Sequence, residues 1–226
     1  MNVFYLRLYS LLALSGVVLT CVGEFLYFYG FEGTNLEVNL DVVSKTHSDH
    51  IAQGMFCSIL GIGLWLFITY PLRVSLYKTS FAMRQWIQAS LLIYIGCSLV
   101  FHVSMGWIGI TDHVASLIAP DQILLSSEIK MKSHELYMVI LKFSFFASIL
   151  FSGLLAWVIF KGQTHLPKWI ILFTPILIFT MLKLLPSKLI EIPAPLGGWI
   201  DISIGCVGLF ILFGVLCRSA LQNVNS

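Results

Sequence analysis

The chain alternates between long apolar runs and short polar connections along its whole length. Six runs are each near the roughly 20 residues that an α-helix needs to cross about 30 Å of hydrocarbon. This pattern predicts an all-α, polytopic transmembrane helix bundle that forms a single domain over residues 1–226. The first run is longer than the apolar core of a signal peptide, so we expect it to be retained. The predicted spans cover about residues 6–29, 51–71, 86–110, 136–160, 167–186 and 196–217.

Composition supports a membrane location. Hydrophobic residues make up 58% of the chain and charged residues 11%, whereas soluble domains carry about 25% charge. The lipid bilayer is therefore the first predicted partner. The net charge of +2 and the lack of a basic stripe with interleaved aromatic residues give no sign of nucleic-acid binding.

Lys and Arg are distributed unevenly between the two sides of the predicted bundle. The connections 72–85 and 161–168 contain basic residues and no acid, whereas the connections 30–50 and 111–135 contain the loop acids. With the N-terminus inside, seven basic residues lie inside and four outside, which fits the positive-inside rule. We therefore predict six spans with both termini in the cytoplasm. The inner set is Arg7, Arg73, Lys78, Arg84, Lys161, Lys168 and Arg218, and the outer set is Lys45, Lys130, Lys132 and Lys188.

Five ionisable residues fall within the predicted spans. In the predicted orientation all five lie in the outer half of the membrane, roughly 6–9 Å from its centre at 1.5 Å per residue. Such residues are costly in lipid and usually face protein or water. They are the candidates for lining a ligand pocket: Glu24, His102, Asp201, Lys183 and Lys142.

Helical faces divide these candidates into two groups. Glu24, His102 and Asp201 each share a face with Gly, Ser or Thr residues, which let helices pack closely in lipid, so we expect them to face the bundle interior. Lys142 lies nearly opposite a stripe of small residues that begins at Ser144. Lys142 and Lys183 either face inward or extend to the outer surface.

Histidines raise the question of a metal. His47 and His50 have H-x-x-H spacing, and with Glu24, His102 or the Asp112–His113 pair they could assemble a Zn²⁺ site. Short H-x-x-H matches are frequent by chance, and no H-E-x-x-H motif occurs. The chain also lacks a G-x-S-x-G elbow and a P-loop. We therefore predict no metal and no cofactor, and we assign no catalytic residue.

Other residues have structural interpretations. The five cysteines lie in or beside apolar runs without a CxxC motif, which is typical of small buried hydrophobic residues. Residues 114–125 are partly amphipathic and could form an interfacial helix or a lid. Trp107, Trp199 and Tyr27–Tyr29 are predicted to mark the outer membrane interface.

Three short features stand out along the chain. Span 1 ends in Gly23-Glu24-Phe25-Leu26-Tyr27-Phe28-Tyr29, His102 lies late in span 3, and span 6 opens with Pro193-Ala194-Pro195-Leu196-Gly197-Gly198. These features resemble a family of small, uncharacterised bacterial membrane proteins with six spans. The resemblance implies an architecture over most of the chain and no activity. The small size, the compactness and the lack of sorting signals predict a bacterial inner membrane.

Two functions fit this pattern. The first is an outward-facing intramembrane pocket that binds or transforms a small amphipathic or lipid-like molecule, with His102 as a proton carrier and Glu24 or Asp201 as base. The second is a non-enzymatic accessory subunit that binds a membrane-protein partner, with the charged layer as internal ion pairs. Transport is less favoured, because the inner half of the spans has no ionisable residue.

Overall fold

A computed structural model of the chain describes residues 3–27, 48–117, 123–184 and 196–225. The regular elements in these residues are all helices, so the all-α prediction is confirmed for them. Two 3₁₀ helices, Leu66–Ile68 and Lys168–Phe173, lie between α-helices. The α-helices are α1 (Val3–Tyr27), α2 (Ser48–Trp65), α3 (Thr69–Ser75), α4 (Phe81–Leu117), α5 (Ile123–Phe160), α6 (Pro175–Leu184) and α7 (Leu196–Asn225).

Five helical segments within the described ranges are long and apolar enough to cross a membrane. They coincide with five of the six predicted spans. Their length and apolar composition are those of a helical membrane protein. The segments are Val3–Tyr27, Asp49–Ser75, Phe81–Thr111, Ser127–Phe160 and Ser203–Val224.

The remaining predicted span, 167–186, is not one continuous helix. A 3₁₀ helix ends at Phe173, Thr174 is extended with ψ 150°, and α6 begins at Pro175. A residue before proline is driven out of the α region, and proline has no N–H for a helical hydrogen bond. The first free N–H of α6, that of Ile176, donates to the Ser152 hydroxyl at 3.2 Å. The break therefore originates in the Thr-Pro pair and is supported by α5.

Helices α4 and α5 extend beyond their predicted spans. The described residues of 114–125 continue these two helices and form no separate interfacial helix, which was one of two possibilities for this stretch beside a lid. At 1.5 Å per residue, 37 and 38 residues correspond to about 55 Å each, well over the ~30 Å hydrocarbon thickness. The two helices pack against each other.

Six of the described α-helices form a closed ring in which each packs on the next, and the short α3 packs mainly on α7. Helix α1 packs on α2, α2 on α4, α4 on α5, α5 on α6, α6 on α7, and α7 returns to α1. We call the end where α1 begins and α7 ends the terminal end, and the opposite end the distal end. The described basic residues near helix ends at the terminal end are Arg7, Arg73, Lys78, Arg84, Lys161, Lys168 and Arg218.

Aromatic side chains from four helices fill the middle of the ring. Trp65 stacks on Tyr94 with ring centroids 6.4 Å apart and meets Phe213 edge-on at 5.8 Å. Tyr94 in turn stacks on Phe151 at 6.2 Å. All four side chains are buried. This central aromatic layer separates the distal half of the bundle from the terminal half.

Helices α1 and α2 approach closely through glycines. A Cβ at Gly61 would lie 2.6 Å from the Thr20 backbone nitrogen and 2.7 Å from the Gly16 carbonyl oxygen. A Cβ at Gly54 would lie 2.7 Å from the carbonyl oxygen of Gly23. Small residues permit such backbone approach between membrane helices. They hold α1 at a fixed distance and rotation beside α2.

The terminal end is tied together by its two connections. Gly162, with φ 67°, ends α5 in a Schellman motif, in which its N–H and that of Gln163 donate to carbonyl oxygens of the last turn. The Thr79 hydroxyl donates to the Gln163 carbonyl oxygen at 2.9 Å. The Arg84 guanidinium donates to the carbonyl oxygens of Tyr77 and Thr79. Hydrogen bonds between backbone and side chains therefore fix this end.

Candidate functional site

Two of the predicted pocket residues meet in the distal half of the bundle. Glu24 on α1 and His102 on α4 form an ion pair between the carboxylate oxygen Oε1 and the imidazole nitrogen Nε2. The other imidazole nitrogen, Nδ1, lies 2.7 Å from the carbonyl oxygen of Ser98, one turn earlier on α4. The His102 side chain is 8% exposed and that of Glu24 is 25% exposed.

This geometry determines how many protons the pair holds. A carbonyl oxygen only accepts, so Nδ1 of His102 must carry a hydrogen and donate it to Ser98. One further proton lies between Nε2 and the Glu24 carboxylate. The pair is either imidazolium with carboxylate or imidazole with carboxylic acid, and both forms are net neutral. A proton can therefore move between the two groups without changing the charge of the site.

Tyr27 forms a second connection between α1 and α4 at this level. Its hydroxyl donates to the backbone carbonyl oxygen of His102 at 3.2 Å, and its side chain is fully buried. Tyr27 follows Glu24 by three residues, so both side chains leave α1 on the side that faces α4. The prediction that Tyr27 marks the outer interface is therefore wrong, because the phenol has a buried acceptor instead of a headgroup.

Local sequence explains why Glu24 faces His102. The preceding Gly23 lies against Gly54 and Ser58 of α2, where a side chain would collide with backbone atoms. With Gly23 pressed onto α2, the next position is turned by about 100° around α1. Glu24 consequently faces α4 and not α2.

An apolar cluster surrounds the ion pair, and we call it the distal cluster. Its buried members come from α1, α2, α4 and α5: Tyr27, Ile51, Met105, Ile108 and Tyr137. Partly buried residues that pack against it include Phe101, which contacts both the His102 ring and the Tyr137 ring at 5.4 Å between centroids. An acid and a histidine thus lie within a mostly aromatic and aliphatic environment.

Of the remaining pocket candidates, Lys142 lies away from the pair. Its side chain is exposed on the outer surface of α5. The opposite face of α5 is buried through Ser144, Ser148 and Ser152, and Ser144 donates to the Cys97 carbonyl oxygen at 3.1 Å. The serine stripe is therefore a packing face, and Lys142 extends to the surface.

Asp201 and Lys183 lie on described helices, α7 and α6, but their side chains fall outside the described part of the structure. The same holds for His113 on α4, while His47 lies outside the described residues altogether. His50 is partly buried in the first turn of α2. Within the described residues, no three His, Cys, Asp or Glu side chains are grouped so that they could hold a metal ion.

Sequence reasoning missed two participants, Tyr27 and Ser98. Tyr27 was grouped with neighbouring aromatic residues, and Ser98 contributes its backbone carbonyl oxygen, which any residue carries. The spacing of Ser98 and His102, four residues apart on a helix, was the available signal.

Nearly the whole chain matches one family of proteins. The model of a family of unknown function, DUF6796, matches residues 1–223. The chain belongs to this DUF6796 family. No curated protein and no solved structure matches it. Membership confirms that the chain comes from an uncharacterised family, and it brings no known activity to this DUF6796 protein.

Proposed function

We propose that this DUF6796 protein crosses a bacterial inner membrane six times, with both termini in the cytoplasm. For the crossing at predicted span 167–186, the fifth in chain order, Lys168–Phe173 contributes about 12 Å at 2.0 Å per residue and α6 about 15 Å at 1.5 Å per residue. Their sum approaches the ~30 Å hydrocarbon thickness. The basic residues of the terminal end, with no acid beside them in the described residues, support a cytoplasmic position for that end.

Site accessibility supports a ligand-binding function in the distal half. The Glu24 side chain uses one oxygen for His102 and is still 25% exposed, although it lies beside an apolar cluster. Ligand sites are mostly apolar with a few placed polar groups. A small amphipathic or lipid-like molecule would place its apolar part on the distal cluster and its polar head at Glu24. The exposed part of Glu24 is the observation that carries this proposal.

The proton count of the pair favours a class of head group. A net-neutral pair does not require a charged ligand, and a carboxylate oxygen accepts hydrogen bonds. We therefore favour an uncharged head group with a hydroxyl donor. If the protein also transforms this molecule, Glu24 would act as the base that accepts the hydroxyl proton. His102 would then hold, on Nε2, the proton that it shares with Glu24 in the resting pair.

The central aromatic layer supports binding over transport. His102 lies eight residues beyond Tyr94 along α4, which corresponds to about 12 Å. Between the pair and the terminal end, the middle of the ring is occupied by four buried aromatic side chains. A site that opens toward the distal end only is the simplest arrangement.

Native mass spectrometry of the detergent-purified protein tests this proposal. We expect the wild type to carry a lipid-sized adduct that is lost in Glu24→Gln and kept in the control Glu135→Gln, an exposed acid paired with Lys132 on α5. The Glu24→Gln change keeps the size of the side chain, and the new amide can still hydrogen-bond His102. Equal adducts on both variants, or none on the wild type after extraction into lipid nanodiscs, would contradict a Glu24-dependent site.

A second candidate is an accessory subunit in which the pair is structural. Its support is that both imidazole nitrogens of His102 already have protein partners, as an internal lock requires. This function predicts that another membrane protein co-purifies with the chain. A monodisperse monomer that keeps its adduct would count against it.

The orientation is tested separately by labelling single cysteines introduced at Lys78, Gln163 and Ser127 in a variant whose native cysteines are replaced. An impermeant maleimide added to intact spheroplasts should label the position at 127 and leave those at 78 and 163 unlabelled. The reverse pattern would mean that the termini are outside.

A further inference from the structure

Two connections of the chain meet at the terminal end, one between α3 and α4 and the other after α5. The Thr79 hydroxyl of the first donates to the Gln163 carbonyl oxygen of the second at 2.9 Å. The Tyr77 hydroxyl lies 2.8 Å from Nε2 of His165, and the two rings stack with their centroids 5.5 Å apart. These contacts hold the two turns in a fixed position relative to each other.

Three cations lie around this contact, and we call them the basic surface: Lys78, Arg84 and Lys161. Lys78 directly precedes Thr79 in the first connection, Lys161 precedes Gln163 by two residues in the second, and both lysine side chains are exposed. The half-buried Arg84 guanidinium donates to two carbonyl oxygens of the first turn. Because the two turns are fixed, the three positive charges are held close together.

The protein does not neutralise the charge of the basic surface. Within the part of the chain that the structure describes, no carboxylate forms an ion pair with any of its three residues. Instead, the Lys161 ammonium lies 4.9 Å from the centre of the Trp157 ring, and the Lys78 ammonium lies 5.9 Å from the centre of the Tyr77 ring. Such cation–π contacts orient an ammonium but leave its charge in place. The basic surface can therefore attract an anion.

The aromatic residues around the basic surface indicate where this anion comes from. Trp157 and Tyr77, beside the two lysines, are 54% and 47% exposed, and Trp86 and Trp169 of the same end are exposed as well. Exposed Trp and Tyr side chains are enriched at the headgroup level of a membrane. At that level the phosphate groups of lipids are the nearest anions, and basic clusters at the ends of membrane helices bind anionic lipids.

We propose that the basic surface binds the headgroup of an anionic phospholipid. The phosphate would lie between the Lys78 and Lys161 ammonium groups, and Arg84 would hold the turn that carries Lys78 and add its own charge. The glycerol and the first acyl carbons would pack on Trp157 and Tyr77. A zwitterionic phospholipid carries an additional ammonium group, which the three cations repel. This inference does not depend on the proposed ligand of Glu24.

Native mass spectrometry of the delipidated, full-length protein in detergent tests this inference, with phosphatidylglycerol and phosphatidylcholine as probes. We expect the wild type to bind phosphatidylglycerol about tenfold more tightly than phosphatidylcholine. The double variant Lys78→Gln/Lys161→Gln should bind phosphatidylglycerol about 30-fold more weakly, which corresponds to about 1 kcal/mol for each lysine removed. The matched control Lys132→Gln/Lys142→Gln removes the same charge from exposed positions on α5 and should bind as the wild type does.

Two further variants separate charge from side-chain identity and this surface from the Glu24 site. Lys78→Arg/Lys161→Arg keeps both positive charges and should keep the preference for phosphatidylglycerol. Glu24→Gln should leave this preference unchanged, so a failure of the proposed ligand site and a failure of the basic surface give different results. If a substitution impairs folding, the wild-type comparison of the two lipids still decides.

Three outcomes would overturn the inference. The first is equal affinity of the wild type for the two lipids, and the second is an equal loss of phosphatidylglycerol binding in the two lysine-to-glutamine variants. The third is displacement of the lipid by millimolar inorganic phosphate, which would mean that the basic surface takes a free anion instead of a lipid.

Discussion

Replacing Glu24 and His102 by leucine, singly and together, tests the ion pair most directly. After Glu24→Leu the imidazole keeps its Nδ1 proton on Ser98, and its Nε2 is left buried without its partner. Leaving a buried polar group unsatisfied costs about 1–3 kcal/mol. After His102→Leu, the 25%-exposed carboxylate can bind water, so we expect a cost at the lower end of that range.

The double variant removes both polar groups at once. Replacing a buried ion pair by apolar side chains of similar volume is often neutral or stabilising, so we expect its free energy of unfolding to lie within about 1 kcal/mol of the wild type. The coupling energy between the two positions should then be about 2–4 kcal/mol, as for residues in direct contact. The lipid-sized adduct, by contrast, should be absent from the double variant.

Reversible unfolding in mixed SDS and detergent micelles, followed by tryptophan fluorescence, measures all four free energies. Single losses that add up within about 0.5 kcal/mol would refute a direct pair. If the double variant is as stable as the wild type and still carries the lipid-sized adduct, the pair has no role in ligand binding and only its structural interpretation remains.

Three further predictions use the same unfolding assay. Gly61→Ala must move α1 away from α2, so we expect the free energy of unfolding to fall by about 1–3 kcal/mol. The control Gly63→Ala, whose Cβ would have nothing within 4 Å, should be neutral or slightly stabilising. Equal stability of the two variants would contradict the close helix contact. Tyr27→Phe keeps the buried ring and loses one hydrogen bond, at a cost of about 0.5–1.5 kcal/mol, and an unchanged free energy would mean that the hydroxyl bond is absent. Gly162→Ala should cost about 1–2 kcal/mol because φ is 67°, whereas Gly153→Ala, inside α5, should not; a harmless Gly162→Ala would contradict the left-handed helix end.

The helices could be predicted from the sequence because lipid leaves the backbone few options. Inside a membrane each N–H and C=O must be paired within the protein, so a long apolar run becomes a helix. The break before α6 also had a local signal, the Thr174-Pro175 pair. Hydropathy did not reveal it, because that measure is averaged over the whole apolar run. The extra length of α4 and α5 had no such signal, because hydropathy marks only the apolar part of a helix.

From the sequence, the site was predictable as a set of ionisable residues at a similar depth in the membrane, but not as a specific pair. Counting residues placed Glu24 and His102 at a similar depth, and small neighbouring residues turned them inward. No count could show that these two would pair while Lys142 would not, because that depends on which helices are neighbours in the ring.

The sequence by itself determined that this protein is a helical membrane protein, since apolar length and backbone hydrogen bonding are local properties of each segment. It also limited the ionisable residues within the predicted spans to Glu24, His102, Lys142, Lys183 and Asp201. Tertiary structure alone decided that Glu24 meets His102 and that Tyr27 is buried against α4. These contacts join residues on different helices, and the rotation and spacing of each helix are set by packing against its neighbours.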